Sequence, residues 1–152
     1  MLLVLEKNIG TGTQEQELGR SKGGFTTKLH AACDALGNPI RFFLTPGQRS
    51  DYIKALDLID GFQMEALLAD KGYDANYIVD AAASVGADVT IPPRSIRKTP
   101  REYDKDLYKE RNQIERMFNK MKHFRRVATR YDKLAVSYMA FVLLSAIYLW
   151  LK

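Results

Sequence analysis

The sequence predicts an α/β fold, a mixed sheet of one β-hairpin plus parallel strands flanked by helices. Three observations lead there. Two β-rich runs, "FTTKLHAACD" (Phe25 to Asp34) and "IRFFLT" (Ile40 to Thr45), flank the turn residues "LGNP", which reads as a hairpin. A short apolar run, "EALLAD" (Glu65 to Asp70), has the look of a strand buried on both faces and hence parallel. Between and after these runs, the apolar residues recur at helical spacing.

In chain order, Gly37 and Asn38 supply the hairpin turn. "PGQRSD" breaks the chain, and Ser50 or Asp51 is expected to cap a helix running to Gly61. After the "EALLAD" strand, "KGYD" turns the backbone, and Asp74 is expected to cap the helix "ANYIVDAAASVGA". "DVTIPP" is a further strand, stopped by Pro92 and Pro93. A polar loop to about Asp104 leads into a long basic helix and then an apolar one. The expected order is β-β-α-β-α-β-α-α, in one domain over residues 1–152.

The net charge of +5 is unevenly spread. From Arg94 to Lys133 there are fourteen Lys/Arg against six Asp/Glu, and elsewhere nine against twelve. A basic excess confined to one region suggests a polyanion as partner. Cys33 is the single cysteine, which excludes an internal disulfide or a thiolate metal site and points to a reducing, cytoplasmic setting. His30 and His123 have no ligand spacing and read as ordinary polar or half-buried residues. "LAVSYMAFVLLSAIYLWL" (Leu134 to Leu151) is uncharged, but its two serines and two tyrosines favour a buried final helix over a membrane span.

The basic helix carries a pattern. At about 100° per residue, Tyr108, Arg111, Glu115 and Lys122 fall within roughly 60° of one another. Leu107, Ile114, Phe118 and Met121 form an apolar stripe beside them. The helix should therefore pack on one face and carry a phenol, guanidinium, carboxylate and ammonium along its rim. Asp70 stands at the carboxyl end of a parallel strand, where chemistry collects in such sheets, and Gly72 allows a sharp turn just after it. Two carboxylates placed this way suit Mg²⁺, which takes hard oxygen ligands, and Arg111 and Lys122 suit neighbouring phosphates.

Four motifs in order carry a resemblance. Tyr108-x2-Arg111-x3-Glu115-x6-Lys122 resembles the Tyr-Arg-Glu-Lys signature of bacterial insertion-sequence transposases of the DDE class. "GRSKGGFTTKLH" (Gly19 to His30), "LTPGQRSD" (Leu44 to Asp51) and "LLADKGYD" (Leu67 to Asp74) are similar to motifs of the same group, as is "FRRVATRYDKLAVSY" (Phe124 to Tyr138). "GRSKGG" lacks the Gly-Lys-Ser/Thr ending of a phosphate-binding P-loop. The resemblance implies a ribonuclease-H-like catalytic core that hydrolyses a DNA phosphodiester and transfers the freed strand to target DNA. It implies that Asp70 and Glu115 are the second and third catalytic acids and hold Mg²⁺ or Mn²⁺, two ions in the intact family site. Tyr108, Arg111 and Lys122, with Arg125 and Arg126 beyond them, would bind DNA.

One departure stands out. The family's first Asp lies on a strand ahead of "GRSKGG", yet residues 1–18 contain no Asp, and their acids are Glu6, Glu15 and Glu17. "MLLVLE" could form much of that strand, leaving it truncated or incomplete, as in a C-terminal catalytic fragment without the DNA-binding N-terminal region. The expected function is that of a transposase catalytic domain, inactive alone for lack of this acid. The alternative is a non-catalytic DNA-binding or subunit-pairing remnant that modulates a full-length transposase. Expected partners are DNA (transposon ends and target), a second copy or a full-length transposase, and no membrane. The expected location is cytoplasmic and nucleoid-associated.

Overall fold

A computed structural model describes residues 1–10, 19–21 and 24–152. Its strands are β1 (Leu2–Gly10), β2 (Gly19–Ser21), β3 (Gly24–Cys33), β4 (Pro39–Pro46), β5 (Ala66–Ala69) and β6 (Asp88–Thr90). Its α-helices are α1 (Ala55–Ile59), α2 (Asn76–Ser84), α3 (Asn112–Met121), α4 (Arg125–Ala128) and α5 (Ala135–Trp150). "MLLVLE" begins β1, which lies mid-sheet, antiparallel to β3 and parallel to β5. β6 extends the parallel half, while β2 and β4 both pair antiparallel with β3. The acids Glu15 and Glu17 lie outside the described residues.

Each half of the sheet follows from its side chains. All four residues of β5 are buried, as a strand covered on both faces requires. One sheet face, with Leu29, Ala31 and Leu68, packs on Ile114, Met117 and Met121 of α3 and on Tyr138 and Val142 of α5. The opposite face, with Val4, Leu67 and Ala69, packs on Leu58 of α1 and on Ile78 and Ala82 of α2. The sheet is thus sandwiched between two helical layers, each with its own apolar core. In α3 the buried Ile114, Met117, Phe118 and Met121 recur at i, i+3, i+4 and i+7, and each contributes roughly 1.5–3 kcal/mol.

Turns behave as their residues dictate. Asp34 accepts hydrogen bonds from the backbone N–H of Leu36 (2.9 Å) and Asn38 (2.8 Å), and Gly37 takes φ +83°. After β4, Gly47 presses onto β3. A Cβ there would lie 1.9 Å from Thr26 Oγ1, so no other residue permits this approach.

Four expectations change. Asp51–Lys54 forms a 3₁₀ turn before α1, and Ser50 makes no side-chain cap bond there. Asp74 does not cap α2, whose N-terminal position is taken by Ala75; its carboxylate is engaged elsewhere. The long basic helix is divided, with Leu107–Arg111 forming a 3₁₀ segment ahead of α3. The final helix buries one face only: Tyr138, Val142, Ser145 and Ala146 are inside, whereas Leu143, Leu144 and Ile147 are exposed.

A buried arginine fastens the last two helices to the sheet. Arg130 has no exposed surface, and its Nη1 donates to Thr27 Oγ1 of β3 at 2.7 Å. Its Nε and Nη2 donate to the carbonyls of Asp132 (3.0 Å) and Lys133 (3.1 Å), just ahead of α5. Its planar fork can satisfy three acceptors at once, which suits a guanidinium better than an ammonium.

Candidate functional site

Strand parity brings the candidate acids to one side of the sheet. Ala66 and Leu68 face the α3 layer, and side chains alternate along a strand, so Asp70, next after β5, continues on that side. Glu115 lies one residue beyond the buried Ile114, on the rim of α3, and is half-buried.

The 3₁₀ segment joins the two. With three residues per turn, positions i and i+3 eclipse, which stacks Tyr108 over Arg111. The Arg111 guanidinium carbon lies 5.4 Å from the Tyr108 ring centre, and its Nη1 donates to Glu115 Oε1 at 3.2 Å. Burial pushes the Tyr108 phenol up from its ordinary pKa, Arg111 opposes this, and the negative charge of Asp70 adds to the rise. The 3₁₀ segment packs against β5, at whose end Asp70 stands, and Arg111 links Tyr108 to Glu115. Lys122, expected on the same row, terminates α3 and is exposed.

The flanking cations divide into two kinds. Lys122 and Arg125 are exposed and make no salt bridge among the described residues. Arg126 is tied down: its Nη1 lies 3.1 Å from Asp132 Oδ1, and its guanidinium covers the Phe141 ring at 4.6 Å. It stabilises the α4–α5 connection, and less of its charge is available to a ligand.

The turn after Asp70 is held by a cluster that sequence reasoning missed. Asp74 is only 6% exposed. It accepts from the backbone N–H of Arg94 and from Arg97 Nε, both at 2.8 Å, and from Arg101 Nη2. Burial alone would raise its pKa, but the hydrogen bonds from Arg97, the Arg94 backbone and Arg101 outweigh this and hold the carboxyl below its ordinary value. The Arg94 side chain donates Nε to the Lys71 carbonyl at 3.2 Å and Nη2 to the Gly72 carbonyl. The loop read as merely polar is thus a strap across "DKGYD". The only signal for it was three arginines following the proline pair, with no indication of which acid they would meet.

His30 gives a second hidden support. It is fully buried, with Nδ1 3.2 Å from the Tyr73 hydroxyl and Nε2 2.7 Å from Thr45 Oγ1, linking β3 and β4 to the same turn. Cys33 is buried, and burial raises its thiol to about 12, which leaves it unsuited to nucleophilic chemistry.

Asp70 and Glu115 offer hard oxygen donors of the kind Mg²⁺ takes. No group of three or more His, Cys, Asp and Glu suited to a metal occurs among the described residues. Val4 pairs with Ala69, and Leu5 pairs with Ala31, whose side chain faces α3. By register, Leu5 is the β1 position that follows the Val4–Ala69 pair, as Asp70 is the one that follows it after β5.

The fold defines an α/β domain whose mixed sheet lies between two helical layers. The chain matches the family described as "Transposase DDE domain" over residues 10–150, and it belongs to that family. It is 40% identical over 129 residues to a putative transposase for insertion sequence element IS6501 from Brucella ovis, covering 84% of this chain and 99% of that protein. No solved structure matches. The family acts in DNA transposition and generally uses divalent metal ions. No helix among the described residues is long and apolar enough to cross a membrane.

Proposed function

We propose that this chain is a ribonuclease-H-like transposase core whose Asp70 and Glu115 hold Mg²⁺ or Mn²⁺ at a DNA phosphodiester, and in which no third acid joins them among the described residues. The observation that carries this is the 3₁₀ segment, which packs against β5 beside Asp70 and joins Tyr108 through Arg111 to Glu115 on α3. The sheet order, with an antiparallel β4-β3-β1 half joined to a parallel β1-β5-β6 half, agrees with such a core. A bound ion would supply charge neutralisation at the scissile phosphate and a lowered pKa for the attacking hydroxyl. Arg111 positions Glu115 and can share its charge with a phosphate oxygen. Tyr108 closes the gap over Asp70, and Lys122 and Arg125 hold backbone phosphates on either side of the reacting one.

Two carboxylates offset only part of the charge of two divalent ions, so the second ion of the family's site is the one weakened. The chain as it stands should give no Mg²⁺- or Mn²⁺-dependent nicking of DNA above background. Leu5→Asp places a carboxylate at the register position beside Asp70 and should introduce nicking, while Leu5→Asn should not. Efficient nicking by the unaltered chain, abolished by Glu6→Gln, would overturn the assignment of Leu5 as the empty position. The alternative of a non-catalytic DNA-binding or subunit-pairing remnant is supported if Leu5→Asp binds DNA as the parent does and never cleaves it.

A further inference from the structure

We infer that the groove between α1 and α2 takes a cationic segment of another protein, with large apolar side chains in the groove and Lys or Arg against Asp57 and Asp60. The observations behind this are independent of the chemistry at Asp70. Charge divides the molecule between its two helical layers. Residues 51–91, which carry α1 and α2, hold eight Asp/Glu against two Lys and no Arg. Residues 94–133, which carry α3, hold fourteen Lys/Arg against six Asp/Glu. The two layers cover opposite faces of the sheet. In the acidic layer Asp57, Asp60, Glu65, Asp80 and Asp88 are exposed. Among the described residues Asp57 pairs with Lys54 at 2.8 Å, and the other four make no salt bridge.

The groove selects its occupant by shape and charge together. It encloses about 400 Å³ between α1, the turn after it and the end of α2. Sites that bury a ligand begin at roughly 300 Å³, so the groove has room for the anchoring side chains of a peptide. Phe62 and Met64 are half-buried against the core beneath it, and Leu56 and Val85 stand at its edge, each 42% exposed. The unbranched, polarisable side chain of Met64 adapts to an irregular apolar partner. Asp57 and Asp60 line the same groove. Arg41 shows how a cation sits at this place. Its guanidinium carbon lies 4.3 Å from the Phe62 ring centre, and its Nη1 donates to the carbonyls of Asp57 (2.7 Å) and Asp60 (2.8 Å). These carbonyls are at the C-terminal end of α1, where a helix attracts positive charge, and the two carboxylates add to that attraction. The acidic layer repels a polyanion, which excludes DNA from this face. An uncharged apolar segment would leave the acids unanswered. A basic amphipathic one satisfies walls and rim at once, as when an amphipathic helix lies in a groove.

The test uses the full chain and four synthetic peptides. The first carries leucines at i and i+4 among lysines. In the others the lysines become glutamines, the lysines become glutamates, or the leucines become serines. Calorimetric titration should show the lysine peptide binding, more weakly as salt rises, and each of the other three binding at least about ten-fold more weakly. Amide shifts in nitrogen-15-labelled protein should centre on Phe62, Met64 and Val85. The double variant Asp57→Lys with Asp60→Lys should lose the lysine peptide and gain the glutamate one, a reversal that an unfolded variant cannot produce. Glu102→Gln, at an exposed acid outside the groove, should bind the lysine peptide as the parent does. A glutamine peptide as tight as the lysine one would overturn the cationic partner, and a serine peptide as tight would overturn the groove. Shifts centred on α3 or α5, a double variant that keeps the lysine peptide, or no binding of that peptide at low salt would each overturn the inference.

Discussion

Asp70 and Asp74 stand four residues apart on either end of one tight turn, and they meet opposite fates. Asp74 is drawn inward, where two guanidinium groups and a backbone N–H surround it. Asp70 is left half-exposed at the end of β5. The same side chain is therefore a structural fastener in one place and an available ligand in the other. The difference teaches that rigidity around a reactive group is supplied by its neighbours. A carboxylate already paired with three donors has little left for a metal, while one without such partners needs another residue to hold its backbone still.

The largest expected effect comes from breaking the fastener. Asp74→Ala removes two charge-assisted bonds and the acceptor of the Arg94 backbone N–H in a buried place. Arg97 and Arg101 keep side-chain exposures of 21% and 30%, so both can turn to solvent and soften the loss. The expected cost is about 3 kcal/mol, which for a domain of this size lowers Tm by roughly 6–12 °C. The same residue gives a pH signature. Its native pKa lies below the ordinary 3.8, so its contribution is complete above that value and is lost as pH falls through the lower native value. The Tm of the parent should drop steeply across this acid range, and that of Asp74→Ala should be flatter there. Parallel curves would show that Asp74 carries no linked stability.

The two regions also divide the cations, and salt separates them. Arg94, Arg97 and Arg101 are occupied by the turn, whereas Lys122 and Arg125 make no salt bridge among the described residues. Nonspecific duplex binding that neutralises about four to six phosphates should give a slope of log K against log salt of roughly −4 to −5. Replacing Lys122 and Arg125 by Ala should make the slope shallower by about one or two units. Arg126→Ala should change it less and lower Tm instead, since Arg126 is held by Asp132 and Phe141. Binding insensitive to salt would remove the phosphate-contact reading altogether.

What could be read in advance follows the same division. The strands β3, β4 and β5 and the apolar stripe of α3 were legible because burial imposes a period on the sequence. The row Tyr108, Arg111 and Glu115 was legible for a related reason, since helical geometry makes i, i+3 and i+4 neighbours. Lys122 caps the C-terminus of α3 in helical conformation, seven residues after Glu115. The roles of Asp74 and Arg130 were not legible. Their partners are 20 or more residues away for Asp74, and 103 residues away for the Arg130–Thr27 bond, and no local pattern encodes such pairings. The outer face of α5 was misread for a different reason: an apolar sequence looks buried, and composition alone cannot tell a core face from an exposed one.

The smallest expected effect, and the sharpest for the reactive side, lies at Asp70 and Glu115. Asp70→Asn and Glu115→Gln keep volume and remove one charge each, and neither residue is enclosed as Asp74 is. Glu115→Gln also loses the i, i+4 bond from Arg111, whose side chains are 20% and 30% exposed, and such a pair contributes only about 0.2–0.5 kcal/mol. Without metal, both variants should melt within a degree or two of the parent. With millimolar Mg²⁺ or Mn²⁺ the parent should gain stability through mass action on the folded state, and both variants should lose that gain. Arg111→Ala gives the reverse test. Its guanidinium competes with a cation for Glu115, so its removal should strengthen the metal-induced shift while leaving the metal-free Tm nearly unchanged. A large metal-free loss in Asp70→Asn or Glu115→Gln would place them with Asp74 as fasteners and dissolve the distinction between the two ends of the turn.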